Sequence, residues 1–175
     1  MNSSDTTKKR IQLTLFIDES QSVEIENIRR KFNAEQYNLI KSHVTLCREN
    51  ELEELGNVMH NLINLTFSCI TINFGNVARF FQGKGLLMPG VGENLAFYNL
   101  RESVLYGNVE KNEKFAPHIT LMHPRNSICS DMEFEQIQKI VLPNAIQFKK
   151  ISLIEQEAMG KWQILREFEL TADIV

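Results

Sequence analysis

At 175 residues the chain is long enough for one compact domain or for two small lobes sharing a core, and its 43% hydrophobic and 23% charged residues are those of an ordinary soluble globular protein. A net charge of -3 argues against a broad surface for duplex DNA or long RNA and leaves room for a small basic pocket. Cys47, Cys69 and Cys129 form no C-x-x-C pair and no apolar run approaches the roughly 18 residues that span a bilayer, so a cytoplasmic protein with reduced thiols and no membrane partner is expected.

Met1 to Arg10 are polar, lack the apolar segment of a signal peptide and read as a flexible N-terminal arm. Ile11 to Ile17 alternates (Ile11, Leu13, Leu15, Ile17), the period of a half-buried strand. Ser22 to Phe32 carries Ile25, Ile28 and Phe32 at helical spacing. His43-Val44-Thr45-Leu46 then reads as a strand, and Leu52, Leu55, Met59, Leu62 and Ile63 as one face of a helix. Phe67 to Phe74 returns to strand. Gly75 to Gly92 holds five of the eight glycines and is expected to be a mobile or substrate-covering connection, with a short apolar run at Leu86 to Met88. Gly92 to Tyr106 offers Leu95, Leu100, Val104 and Leu105 to a core as a second-half helix. His118-Ile119-Thr120-Leu121 repeats the earlier word 75 residues on. Ser130 with Glu133 makes a capping box that opens a helix carrying Phe134, Ile137 and Val141. Strands follow at Ala145 to Ile154 and, past a turn at Met159-Gly160-Lys161, at Trp162 to Leu170.

Each half therefore reads strand, helix, His-x-Thr strand, helix, strand. The expected fold is α+β, bilobal and duplicated, with two antiparallel sheets facing a central groove and helices outside. One domain covers residues 11–175, its lobe-forming repeats lying at about 11–75 and 84–170.

On a strand, side chains at i and i+2 share a face. His43 with Thr45, and His118 with Thr120, each point one way while the apolar neighbours point into a core. Transfer at a phosphodiester needs a base for the attacking oxygen and an acid for the leaving one, and imidazole serves as either near neutrality. In-line displacement puts the two on opposite sides of phosphorus, which two His from two strands can satisfy. A hydroxyl beside each can donate to a non-bridging oxygen. A lone strand histidine is more often a structural residue. The doubled word is a stronger signal, since a shuffled chain would repeat it on the order of one time in a hundred. No metal-ligand cluster and no P-loop ending is present, so neither a metal nor any other cofactor is expected.

The words HVTL and FAPHITL, with their spacing and the duplicated layout from Ile11 to about Leu170, resemble the paired motifs of the two-histidine phosphoesterase superfamily, which includes the 2'-5' RNA ligase and cyclic phosphodiesterase proteins. The resemblance implies hydrolysis or reversible ligation at 2',3'-cyclic phosphates or 2'-5' bonds of RNA ends or small nucleotides. By motif match His43 and His118 would be the acid/base pair and Thr45 and Thr120 the phosphate binders. The words leave open which His is base and which substrate is used.

Four further residues are candidates for substrate binding. Arg48 stands five residues after His43, as His123 does after His118. Strict alternation aims both away from the His face, although twist at a strand end can bring one back. Arg79 and Phe81 lie in a basic and aromatic stretch suited to stacking on a base, and Arg125 follows the second word. Cys47 and Met122 share the His face and by default are buried apolar residues. The alternative to a metal-independent phosphodiesterase is an RNA-end or nucleotide binding protein with little turnover. In either case a monomer with a small nucleotide or RNA-end partner is expected.

Overall fold

The computed structural model describes residues 9–108 and 115–171. The expected arm falls outside them as far as residue 8, and Lys9 and Arg10 already belong to the first strand. The alternating segments form strands in chain order: β1 (Lys9–Phe16), β2 (His43–Cys47), β3 (Ile70–Asn73), β4 (Ala78–Phe80), β5 (Gly85–Pro89), β6 (His118–Met122), β7 (Ala145–Phe148), β8 (Lys150–Glu157) and β9 (Gln163–Glu169). The helices are α1 (Glu19–Phe32), α2 (Ala34–Leu39), α3 (Leu55–Ile63), α4 (Leu95–Val104) and α5 (Asp131–Ile137). Helix α1 starts with Glu19 and ends with Arg29, Arg30 and Lys31, charges that complement its dipole. Helix α5 opens on the expected capping box, Ser130 accepting from the Glu133 amide while the Glu133 carboxylate accepts from the Ser130 amide. None of the described helices is long and apolar enough to cross a membrane.

Seven strands pair in the order β4-β5-β6-β2-β1-β8-β9, each pair antiparallel, and β3 pairs with β7 as a separate ribbon. The α+β class and the duplication are as expected, with one refinement. The two half-sheets, β4-β5-β6 and β2-β1-β8-β9, meet along a single registered pair, Val44 with Ile119. These residues are 75 apart, as are the two words. The ribbon obeys the same symmetry, since Ile70 faces Phe148 and Asn73 faces Ala145.

The core lies on the sheet face away from the histidines. Leu13, Leu15, Val44, Leu46, Leu86, Ile119 and Leu121 are all fully buried there, with Ile25, Ile28, Phe97, Leu100 and the ribbon's Ile72, Ile146 and Phe148. Each such side chain contributes about 1.5–3 kcal/mol by leaving water. The helices cross over: α1 of the first half packs on β6, and α4 of the second packs on β2. Ser127 donates to the Phe32 carbonyl and Arg101 to that of Leu46, tying each helix to the opposite half.

Three segments depart from expectation. Gly75 to Gly92 is a packed hairpin at the sheet edge, not a cover over the groove: Ala78 pairs with Leu87 and Phe80 with Gly85. A Cβ at Gly85 would collide with the Phe80 ring, so the close approach requires glycine. The run Ala145 to Ile154 splits into β7 and β8, in different sheets, because its buried positions shift from Ile146 and Phe148 to Ile151 and Leu153. Helix α5 stops at Ile137, which leaves Val141 89% exposed.

Candidate active site

His43 and His118 each open a strand, and Thr45 and Thr120 follow on the same face, all four half-buried where Val44 and Ile119 are sealed in the core. Continuing the antiparallel register one residue either side of Val44–Ile119 sets His43 opposite Thr120 and Thr45 opposite His118. The two imidazoles are then diagonal neighbours, a relation that spaces Cβ atoms by roughly 7–8 Å. That span suits one phosphate between two rings. All four side chains line a single cleft of about 280 Å³.

The rings are held alike. His43 Nδ1 lies 2.8 Å from the Lys41 carbonyl and His118 Nδ1 lies 3.0 Å from that of Ala116. A carbonyl can only accept, so each Nδ1 carries a proton and each Nε2 is left for the cleft. Burial is the main influence on His43, pushing it down to about 4; the Lys41 carbonyl opposes this, and the Arg29 and His118 charges add to it. The edge of Phe16 packs against the same ring, centroids 6.0 Å apart.

Two ion pairs bracket β2, one with a buried arginine and a half-buried glutamate and one buried on both sides. Before the strand, Arg29 pairs with Glu26 at 2.7 Å and donates to the Ile40 carbonyl, while Glu26 accepts from the Ser42 amide. After it, Arg101 pairs with Glu51 and donates to the Leu46 carbonyl, while Glu51 accepts from the Arg48 amide. Each pair grips backbone carbonyl and amide groups beside the strand, so the strand carrying His43 is fixed at both ends.

Arg125 lines the cleft; Arg48, Arg79 and Phe81 do not. Past Cys47 the chain turns, and the Arg48 guanidinium stacks 4.1 Å from the Phe115 ring centroid. Arg79 is used in the edge hairpin, donating to the Gly83 and Cys129 carbonyls and to Asp131. Phe81 sits in the left-handed turn of that hairpin (φ 50), 64% exposed on the sheet's far side from β1. Cys47 and Met122 are buried, as their default role has it. His123 does reach the cleft. Its Nδ1 accepts from the Arg125 amide at 3.2 Å, so in its neutral form the proton is on Nε2, and burial together with the Arg125 and Arg10 charges lowers its affinity for a second one.

Sequence reasoning missed Arg10, Gln12, Gln156 and Trp162, which also line the cleft. Arg10, Gln12 and Thr14 are the polar partners in the alternation of Ile11, Leu13 and Leu15, and register puts them beside the words: Thr14 faces Thr45, and Arg10 faces Gln156. Gln12 donates to the Thr45 hydroxyl oxygen at 3.3 Å, leaving the hydroxyl proton free to donate into the cleft. On β5 the register makes Leu87, which faces Thr120, the counterpart of Thr14, and Pro89, which faces His118, the counterpart of Phe16; neither lines the cleft. Among the described residues the cleft takes polar side chains from β1 and none from β5. Among the described residues no group of three or more His, Cys, Asp or Glu is arranged to hold a metal ion.

Known structures share this architecture. E. coli LigT complexed with 3'-AMP matches with a TM-score of 0.64 at 15% identity, over 93% of this chain and 98% of that one. LigT complexed with phosphate gives 0.62 at 14%, over 95% and 99%. The protein TT0787 of Thermus thermophilus gives 0.55 at 17%, over 94% and 99%. No family model and no curated protein matches the sequence. Over nearly its whole length the chain has the fold of E. coli LigT, so the likeness to the two-histidine phosphoesterases carried by the paired words extends to the architecture.

Proposed function

We propose that the protein is a metal-independent phosphodiesterase that opens 2',3'-cyclic phosphates or cleaves 2'-5' bonds of RNA ends or small nucleotides. The observation that carries this reading is the pair of imidazoles in one cleft, each with Nδ1 committed to a carbonyl and Nε2 without a partner among the described residues. LigT, which shares the fold, has been crystallised with phosphate and with 3'-AMP. His43, held neutral by burial, is the base in hydrolysis and takes a proton from the attacking water. Oxygen bonds to phosphorus as the bond to the leaving ribose oxygen breaks, and protonated His118 gives that oxygen its proton. Thr45 and Thr120 donate to the non-bridging oxygens, and Arg125 with the Nε2 proton of His123 adds positive potential. After one turnover the protonation states have exchanged, and solvent restores them.

The test is a panel of 2',3'-cyclic mononucleotides, 2'-5' dinucleotides and RNA with cyclic-phosphate ends, run in excess EDTA. Hydrolysis of at least one class is expected. His43→Ala and His118→Ala should each lower turnover by about 10²–10⁴-fold, and the double variant little further, because the two act in one step. Activity that chelation abolishes and a divalent ion restores would refute metal independence. Tight binding of the same ligands without turnover would favour the nucleotide-binding alternative.

A further inference from the structure

The chain has one tryptophan, and it stands in this cleft. Trp162 is half-buried at the end of the turn joining β8 to β9, and its position is built rather than incidental. Its amide donates to the Leu39 carbonyl on α2 at 3.0 Å. The turn before it takes left-handed conformations at Ala158 and Met159 (φ 47 and 62), and Gln156 donates across it to the Gly160 carbonyl at 2.8 Å. Gln156 in turn accepts from Arg10, whose guanidinium lies 5.4 Å from the centroid of the Trp162 ring. Arg10 is itself occupied by Glu49, so it steadies the platform instead of sweeping the cleft. Met159, 60% exposed, lines the same cleft.

A large aromatic face and a thioether in the cleft that holds the His and Thr side chains have no use for the phosphate. They suit a flat, polarisable group attached to it. We propose that Trp162, flanked by Met159, is the stacking platform for the nucleobase of the substrate, so that the enzyme acts on nucleoside cyclic phosphates or RNA ends in preference to cyclic phosphates that carry no base. This rests on the phosphodiesterase reading for the location of the phosphate. The recognition itself is sequence-tolerant, because every base has a π face.

Since Trp162 is the sole indole, its fluorescence reports the site directly. Titration with 3'-AMP should quench it to saturation, while inorganic phosphate and ribose 5-phosphate should leave it unchanged and only compete. Trp162→Ala should raise KM for adenosine 2',3'-cyclic phosphate by about 5- to 150-fold, the equivalent of losing one stacked base, with a much smaller change in kcat. KM for glycerol 1,2-cyclic phosphate should stay as it was, and Trp162→Phe should recover part of the loss. An unchanged KM in a folded Trp162→Ala variant, or no quenching by 3'-AMP in the native protein, would overturn the platform. The outcomes separate the two readings. Quenching without turnover would keep the platform and sink the phosphodiesterase, whereas turnover without quenching would do the reverse.

Discussion

The His43 ring is crowded by Phe16 and feels the charges of Arg29 and His118, and burial outweighs the carbonyl that would help it hold a second proton. Its folded value of about 4 lies below the ordinary 6.5, so the unfolded chain binds the proton more readily. Stability from this group is complete above about pH 6.5 and is lost as pH falls from there toward about 4. Comparing denaturant unfolding at pH 7.5 and 4.5 checks this. His43→Asn keeps a donor for the Lys41 carbonyl but cannot titrate, so it should lose less stability between those two values than the native protein. Equal losses would mean that His43 is not held neutral. At this scale the words were legible because i, i+2 alternation is local, and four side chains follow from it. Arg10 and Gln12 were not, because they join the site only through the pairing of β1 with β2 and β8. Trp162 depends on how the β8–β9 turn leans against α2, for which the sequence carries no periodic signal.

Strand β2 owes its fixed geometry to the elements on either side. Arg101 and Glu51 are 4% and 2% exposed, so neither can turn to water if its partner is lost. Arg101→Met should destabilise the fold by about 3–5 kcal/mol, since a buried carboxylate would lose its charged partner and keep, among the described residues, the Arg48 amide. Adding Glu51→Leu should recover much of that loss, as two apolar side chains replace two charges. Urea unfolding of the three proteins decides, and a single variant as stable as the native protein would show the pair to be dispensable. These pairs were invisible beforehand, because Glu51 and Arg101 are 50 residues apart and each alone reads as a solvated charge. Helix α2 was missed for another reason: Ala34–Leu39 is one and a half turns with no apolar stripe, and the Arg29 bonds to the Gln36 and Ile40 carbonyls pin its C-terminal end. The split between β7 and β8 could have been read from the shift in apolar parity.

The two halves could hardly behave as separate folding units. Between β2 and β6 there is one registered pair, but α1 lies on β6 and α4 on β2, and the ribbon takes a strand from each half. Unfolding either half strips the other of a core-covering helix. Scanning calorimetry should show one transition with equal calorimetric and van't Hoff enthalpies. Two resolved transitions would mean that the lobes are independent. The duplicated order of elements was legible in the 75-residue offset, because that pattern repeats along the chain. The exchange of helices was not, since it depends on which half-sheet each apolar face meets in space.

A frame with true twofold symmetry would accept a phosphodiester in either direction and cut either of its ester bonds. Here β1 lends Arg10 and Gln12 to the cleft, whereas the β5 residues beside the second word, Leu87 and Pro89, are apolar and do not line it. On the proposed reading a ligand must lie with its polar sugar edge toward β1 and cannot be turned end for end. The imidazoles then stop being interchangeable, and the product carries its phosphate on one defined ribose carbon. Mirrored strands provide the acid and the base, and the decay of their likeness provides regiochemistry.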